Sequence, residues 1–305
     1  MNASPKPLAV GLTLATLGAI SFSAKAIIVK LAYRHGVDAV TLIMYRMLFA
    51  LPFFLTMAWW TSRGKPALTR REGLSVFGLG VTGYYLASYL DFAGLNYISA
   101  SLERLILYLN PTLVLLLGLV LYKRPISRLQ LLGMAISYVG VLVVFGHEVN
   151  LSGEGVALGT FLVFLSAASY AIYLNFSGEL VQKLGSLRLV GWATSVACVL
   201  CIAQFLVMRP MSAALVAPEV LWLSLLNASL CTAVPVVLVM MAIERIGAGL
   251  AAQAGMIGPV STLLMGIFIL GEPLTVWVAA GTSLVLLGIY VFSRGMRSAL
   301  AQAAG

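Results

Sequence analysis

The chain repeats itself. Moved forward by 148 positions without a gap, residues 98–144 lay Pro111 on Pro259, Gly118 on Gly266, Pro125 on Pro273, Gly133 on Gly281 and Gly140 on Gly288. Ile98, Ala100, Leu102, Leu115, Leu116 and Val143 also find their own kind, so 11 of 47 positions are identical and most others exchange one apolar residue for another. Apolar sequence matches Leu with Leu by chance. It does not bring two prolines and three glycines into register by chance. The duplication constrains the fold because one repeat length holds five apolar segments, an odd number.

A membrane explains those segments better than a soluble core. Hydrophobic residues make up 61% of the chain and charged residues 10%, against roughly 25% charged in a soluble domain. A hydrocarbon layer about 30 Å thick takes about 20 apolar residues of helix to cross. Ten segments qualify: Leu8–Tyr33, Ala39–Trp60, Leu74–Leu95, Ser99–Tyr122, Leu129–Phe145, Val156–Val181, Leu189–Val207, Val220–Ile243, Ala248–Leu270 and Val276–Phe292. Most connections run 4 to 13 residues, too short for a soluble domain. Barrel strands alternate apolar with polar residues, and these segments do not. The predicted fold class is all-α integral membrane, with ten transmembrane helices as two five-helix repeats, residues 8–145 and 156–293.

The first segment carries features of a secretory signal: Lys6 ahead of the apolar run, and Ala24-Lys25-Ala26 behind it. Ser21, Ala26 and Ile27 nevertheless match Ser166, Ala171 and Ile172 at an offset of 145. It is therefore read as an uncleaved helix with a counterpart in the second half.

Cytoplasmic loops are enriched in Lys and Arg. With the N-terminus inside, that side holds 13 basic residues (Lys6, Arg63, Lys65, Arg70, Arg71, Lys123, Arg124, Arg128, Lys183, Arg188, Arg245, Arg294 and Arg297), against Arg34 and Arg209 outside. Both termini are expected in the cytoplasm. The net charge of +9 then reflects orientation and contact with anionic lipid headgroups, with no nucleic-acid partner. Five helices per half also place the two halves in opposite orientations. Inverted repeats are the architecture of secondary transporters, which expose one central site to each side in turn, although some channels share it.

Motifs in both halves make the chain similar to the EamA family of the drug/metabolite transporter superfamily. The first half has Ala93-Gly94-Leu95-Asn96-Tyr97-Ile98-Ser99-Ala100, Asn110-Pro111-Thr112, Pro125, Gly133 and Gly140. The second has Met241-Ala242-Ile243-Glu244, Ala248 to Ala251, Gly258-Pro259-Val260, Gly271-Glu272-Pro273, Gly281 and Gly288. The resemblance covers nearly the whole chain. It implies ten helices in two inverted copies, a bacterial inner membrane, and export of amino acids or other metabolites. Exporters of aromatic and other neutral amino acids look most similar. One departure is that Gly-Glu before the second-half proline is Lys123-Arg124 in the first half.

Candidate substrate-binding residues come from charges and aromatics inside the spans. Pro111 and Pro259, beside Asn110 and Gly258, interrupt the fourth and ninth spans at equivalent depth and are candidate gating positions, since proline frees a backbone carbonyl. A kink satisfied by a neighbouring helix is the plainer reading. Buried ionisable groups cost several kcal/mol and normally face a cavity or a partner. Lys25, with Ser21 one turn away, is placed to meet a substrate carboxylate, and Arg104 with Tyr108 shares one helix face. Alternatively Lys25, Arg104, Asp91 and Glu103 pair among themselves as a structural cluster or outer gate. Tyr85, Tyr89 and Phe92 form a helical stripe, and Tyr170 and Tyr173 recur on the sixth span, either lining a cavity for an apolar side chain or packing helices. Lys30 and Asp38 are expected at the interface, and His35 and His147 in outer loops.

No Gly-Lys-Ser or Gly-Lys-Thr phosphate loop is present for ATP hydrolysis. The two histidines offer no zinc-hydrolase pair. Cys198 and Cys201 lie in an apolar helix, where Cys behaves as a small hydrophobe. The expectation is a non-enzymatic transporter with no metal or cofactor, acting on a neutral amino acid or similar metabolite. A channel, or an exporter of another metabolite or drug class, is the alternative.

Overall fold

The computed structural model describes residues 5–123, 126–152, 155–239, 241–242, 245 and 257–304. Arg124, Pro125, Ile243, Glu244 and Ala248–Ala251, all singled out above, lie outside the described residues. The elements are α1 Pro5–Tyr33, α2 Ala39–Ser62, α3 Arg70–Gly80, α4 Ala87–Leu95, α5 Ala100–Leu107, α6 Asn110–Tyr122, α7 Arg128–Ser152, α8 Val156–Leu184, α9 Ser186–Met208, α10 Pro218–Ala228, α11 Gly258–Met265 and α12 Val276–Ala304. Among the described residues, eight helical stretches are long and apolar enough to cross a membrane, α5 and α6 together forming one of them.

Three of the ten expected spans are less regular than the sequence suggests, the eighth through a π-helical turn over Ser229–Ala233. A π-helical turn over Val81–Leu86 joins α3 to α4, so the third is helical throughout without being one α-helix. The ninth is described only from Ile257 onward, as α11 followed by a π-helical turn, Gly266–Leu270.

Local chemistry sets the helix starts. Asp38 accepts from the Val40 and Thr41 N–H groups at the start of α2, and its carboxylate takes a hydrogen bond from Arg209 at 3.0 Å, so it is more than an interfacial charge. Thr69 and Glu72 close a reciprocal capping box on α3. Ser99 accepts from Leu102 N–H at the start of α5.

The pairing of α7 with α12 is the most extensive in the fold, followed by α2 with α9. Glycine makes the first possible. A Cβ on Gly133 would stand 2.6 Å from the Gly288 carbonyl oxygen, and one on Gly288 would stand 2.6 Å from that of Gly133. Gly140 and Gly281 face each other in the same way, at 2.7 and 2.6 Å. No side chain fits there. Gly133 and Gly281 are repeat equivalents, as are Gly140 and Gly288, so each contact is the other's image under exchange of the halves.

Backbone conformation repeats as well. Leu109 (φ −74°, ψ −8°) and Ile257 (φ −68°, ψ −19°), 148 residues apart, precede equivalent prolines in nearly the same conformation. Further on, Lys123 (φ 52°) and Gly271 (φ 75°) are both left-handed, a conformation that costs a non-glycine residue about 1–3 kcal/mol. Lys123 is the one non-glycine residue with positive φ among those described.

These contacts predict different fates for different glycines. Gly288→Ala should lower stability by about 1–3 kcal/mol, the usual cost of overpacking. Gly78→Ala, where a Cβ meets nothing within 4 Å, should leave it unchanged or slightly raised. Thermal unfolding of the purified variants in detergent checks both, and equal melting temperatures would discount the α7–α12 contact.

Candidate functional site

Three helices bring one cation and two carboxylates together inside the bundle. Lys25 Nζ on α1 donates to Asp91 Oδ2 on α4 at 2.5 Å and stands 3.1 Å from Glu103 Oε1 on α5. Their relative exposures are 9%, 2% and 0%. Neither Glu103 oxygen has a hydrogen bond, and Asp91 Oδ1 has none. Lys25, Asp91 and Glu103 therefore pair among themselves, as one of the two sequence readings held.

Arg104 does not join them. Its Nε donates to Thr262 Oγ1 on α11 at 3.0 Å, and its Nη2 to the Phe22 carbonyl on α1 at 2.8 Å. Helical geometry separates it from Glu103, because neighbours in sequence point about 100° apart. Arg46, buried on α2, donates through Nε to Thr232 at 3.2 Å, and its guanidinium lies 5.2 Å from the centre of the Phe92 ring. Five formal charges thus lie near one another here, three cations and two carboxylates; Arg188 is buried as well, at the start of α9, where Ser62 and the Pro66 carbonyl hold it.

The interrupted helices meet below this layer. Between α5 and α6 the chain makes a turn at Tyr108-Leu109, because Pro111 brings no N–H to continue the ladder. The Leu109 carbonyl accepts Thr112 N–H at 3.0 Å, Leu113 N–H at 3.1 Å and Thr112 Oγ1 at 2.7 Å. Asn110 donates to the Ala167 carbonyl of α8 at 3.0 Å. Opposite, Gly258 opens α11 with Pro259 following, and Ser23 Oγ of α1 donates to the Gly258 carbonyl at 3.0 Å. A Cβ on Gly258 would overlap the Tyr108 hydroxyl. The two proline breaks therefore touch, with Ser23 between them. Ser21, half-buried, does not make this contact.

The aromatic groups separate. Tyr173 and Tyr170 stack at 5.4 Å, and Tyr173 meets Tyr84, hydroxyl to hydroxyl at 3.2 Å. Gly83 makes room, since a Cβ there would lie 2.5 Å from the Tyr173 ring. Tyr85 and Tyr89 instead pack toward α2 and α9, against a cluster containing Ile43, Met47 and Cys198. Phe92 belongs to the same cluster, so the stripe Tyr85, Tyr89 and Phe92 keeps one face. Ser169 donates to Thr82 O and Ser166 to Ala87 O, both at 2.7 Å, covering carbonyls in and beside the π-turn between α3 and α4.

Toward the end where α1 finishes, a cavity of about 500 Å³ is lined by Lys30, Arg34, Glu148 and Glu272 among others. Glu272 accepts from Ala100 N–H at 2.8 Å, Ser101 N–H at 3.4 Å and Ser101 Oγ at 2.7 Å. Glu148 accepts from Ser99 N–H at 3.2 Å and from its hydroxyl. Two carboxylates on one helix N-terminus suit the positive end of its dipole. His147, expected in a loop, lies within α7, and Lys30 lines this cavity rather than resting at an interface. Nothing local in the sequence joins Glu272 to Ser99–Ser101, 171 residues away.

The profile of the EamA-like transporter family matches residues 9–146 and again 157–294. The chain belongs to that family. An uncharacterized transporter, YcbK of Bacillus subtilis, is 31% identical over 87% of each chain. A protein of Salmonella typhimurium named as a probable amino-acid metabolite efflux pump is 24% identical over 93% of this chain and 95% of its own. A crystal structure 15% identical, with a TM-score of 0.62 over 92% of this chain and 95% of the other, shares the fold.

The EamA-like Gly271-Glu272-Pro273 signature has a physical account here. Gly271 takes a left-handed φ of 75°, Glu272 N–H closes onto the Gly266 carbonyl at 3.0 Å, and the carboxylate swings across to cap α5.

Removing one member of a buried ion pair leaves the others unpaired, at a cost of about 3–5 kcal/mol. Lys25→Met should therefore lower the melting temperature sharply. Adding Asp91→Asn and Glu103→Gln to it should recover most of the loss. If Lys25→Met alone melts with the unsubstituted protein, the three groups do not hold these helices together.

Proposed function

We propose that this EamA-like transporter is a secondary exporter of small neutral metabolites, above all amino acids, that works by alternating access between two inverted five-helix halves. The contact of the two proline breaks at Tyr108 and Gly258 carries the reading. Irregular helix segments at equivalent positions of two copies are where such transporters place their sites and their bending points. Asn110, Pro111, Gly258 and Pro259 form the hinge. The reciprocal glycine contacts of α7 and α12 support an inverted relation, because a two-fold axis across antiparallel helices exchanges each contact with the other.

The substrate site lies next to this hinge. A substrate carboxylate is met by Arg104 and, in exchange for Asp91 or Glu103, by Lys25; three cations against two carboxylates at this level favour a ligand that brings negative charge. Ser21 and Tyr108 flank the carboxylate. The Salmonella relative's name supports an amino-acid metabolite as cargo. Thirteen basic residues on one side against two on the other support cytoplasmic termini in a bacterial inner membrane. Transport down the substrate gradient needs no cofactor.

Proteoliposomes loaded with unlabelled phenylalanine, threonine or methionine should accumulate the labelled amino acid by counterflow. A pore equilibrates without counterflow, so its absence for all three would reject the proposal. Gly258→Ala should slow exchange at least tenfold by driving a methyl into the Tyr108 hydroxyl. Tyr108→Phe in the same chain should restore a large part of the rate, because it removes the overlapping oxygen.

A further inference from the structure

The cavity at the end of α1 is separate from the Lys25 layer and from the Tyr108–Gly258 contact, and both signs of charge line it. Lys30 comes from α1 and Arg34 from just past its end, Glu148 from α7 and Glu272 from the segment ahead of α12. No ion pair among the described residues joins these cations to these carboxylates. Backbone carbonyls hold the two cations instead. Lys30 Nζ donates to the Leu95 carbonyl at 3.1 Å, and Arg34 Nη2 to the Leu270 carbonyl at 2.6 Å, while both carboxylates sit on the start of α5.

All four keep hydrogen-bonding capacity. An ammonium has three donors, a guanidinium five, and a carboxylate about four acceptor sites. Lys30 and Arg34 each use one donor in the bonds given, Glu148 uses two acceptor sites and Glu272 three. A volume of about 500 Å³ falls within the roughly 300–1,000 Å³ of small-molecule sites.

We propose that this cavity is a second binding site, specific for small zwitterions that carry an ammonium and a carboxylate together. The carboxylate is met by Lys30 and Arg34, the ammonium by Glu148 and Glu272. The choice of ligand rests on the transport reading, in which the cavity is the outer mouth and receives substrate leaving the central site or returning from outside.

Trp277 supplies a reporter, its ring centre 6.3 Å from that of His147, which lines the cavity. The full chain in phosphatidylglycerol nanodiscs is titrated with phenylalanine, threonine and methionine while tryptophan emission is followed. A saturable change is expected that Trp277→Phe abolishes. Phenethylamine and 3-phenylpropionate, each lacking one charge of phenylalanine, should need at least tenfold higher concentrations. Lys30→Gln with Arg34→Gln, or Glu148→Gln alone, should weaken binding at least tenfold.

Equal responses to phenylalanine and its two analogues, or none to any of the three amino acids, overturns the proposal. So does a change produced by phosphatidylethanolamine in the disc and not by amino acids, since the cavity then holds a lipid headgroup. Counterflow separates the two readings. Transport without a Trp277 signal removes the second site alone, and a Trp277 signal without counterflow removes the transport reading and leaves the site.

Discussion

Inside a lipid layer every backbone N–H and C=O must find its partner within the protein, and the irregular parts of this fold all answer to that constraint. Each place where a helix departs from its ladder is met by a polar side chain from another helix or from its own next turn. Ser169 and Ser166 cover the turn between α3 and α4, and Thr232 covers the Asn227 carbonyl ahead of the π-turn after α10. Tyr33 and Lys30 take carbonyls of the last turn of α4, at Phe92 and Leu95. Irregularity is therefore not looseness. Each break is tied to a neighbour, and the ties determine which helices can move together.

The charged layer obeys the same logic with larger energies. A lone carboxylate as deeply buried as Glu103 would be prohibitive, and a carboxylate with Lys25 beside it is tolerable. Lys25, Asp91 and Glu103 come from three helices, so their attraction draws α1, α4 and α5 together at one level. Arg104 ties α1 to α11 from the same level, through the Phe22 carbonyl and Thr262. An exchange of the helices around α1 must break or carry these bonds. The layer thus couples stability to movement.

Much of this was legible in the sequence because it rested on spacing. Glycines and prolines recurring at 148 announced the repeat and the paired breaks, and the charges of the Lys25 cluster were found as charges in apolar helices. Side-chain direction was less legible. The Tyr84–Tyr173 contact and the Ser23–Gly258 bond are named by no sequence pattern, which marks a stripe at Tyr85, Tyr89 and Phe92 and places Ser21 beside Lys25; which neighbour a face meets is set by helix packing, not by spacing. The Glu272 cap joins residues too distant in sequence for any local pattern. The aromatic group around Tyr173 takes its geometry from helix packing, the plainer of its two sequence readings.

The backbone is more symmetric than the chemistry hung on it. Lys123 and Gly271 turn the chain identically at equivalent points, yet only the glycine does so without cost. Next to Gly271, Glu272 spends both oxygens on the first turn of α5; Lys123, its neighbour's counterpart, is a cation and cannot cap a helix N-terminus. The same fold motif is thus strengthened in one half and strained in the other. If the two halves rock about a shared centre, the end held by Glu272 has two N–H groups and one hydroxyl to release before it parts, since Glu148 and Ser99 both belong to the first half. In such a movement, unequal fastenings at the two ends would favour the end that Glu272 closes.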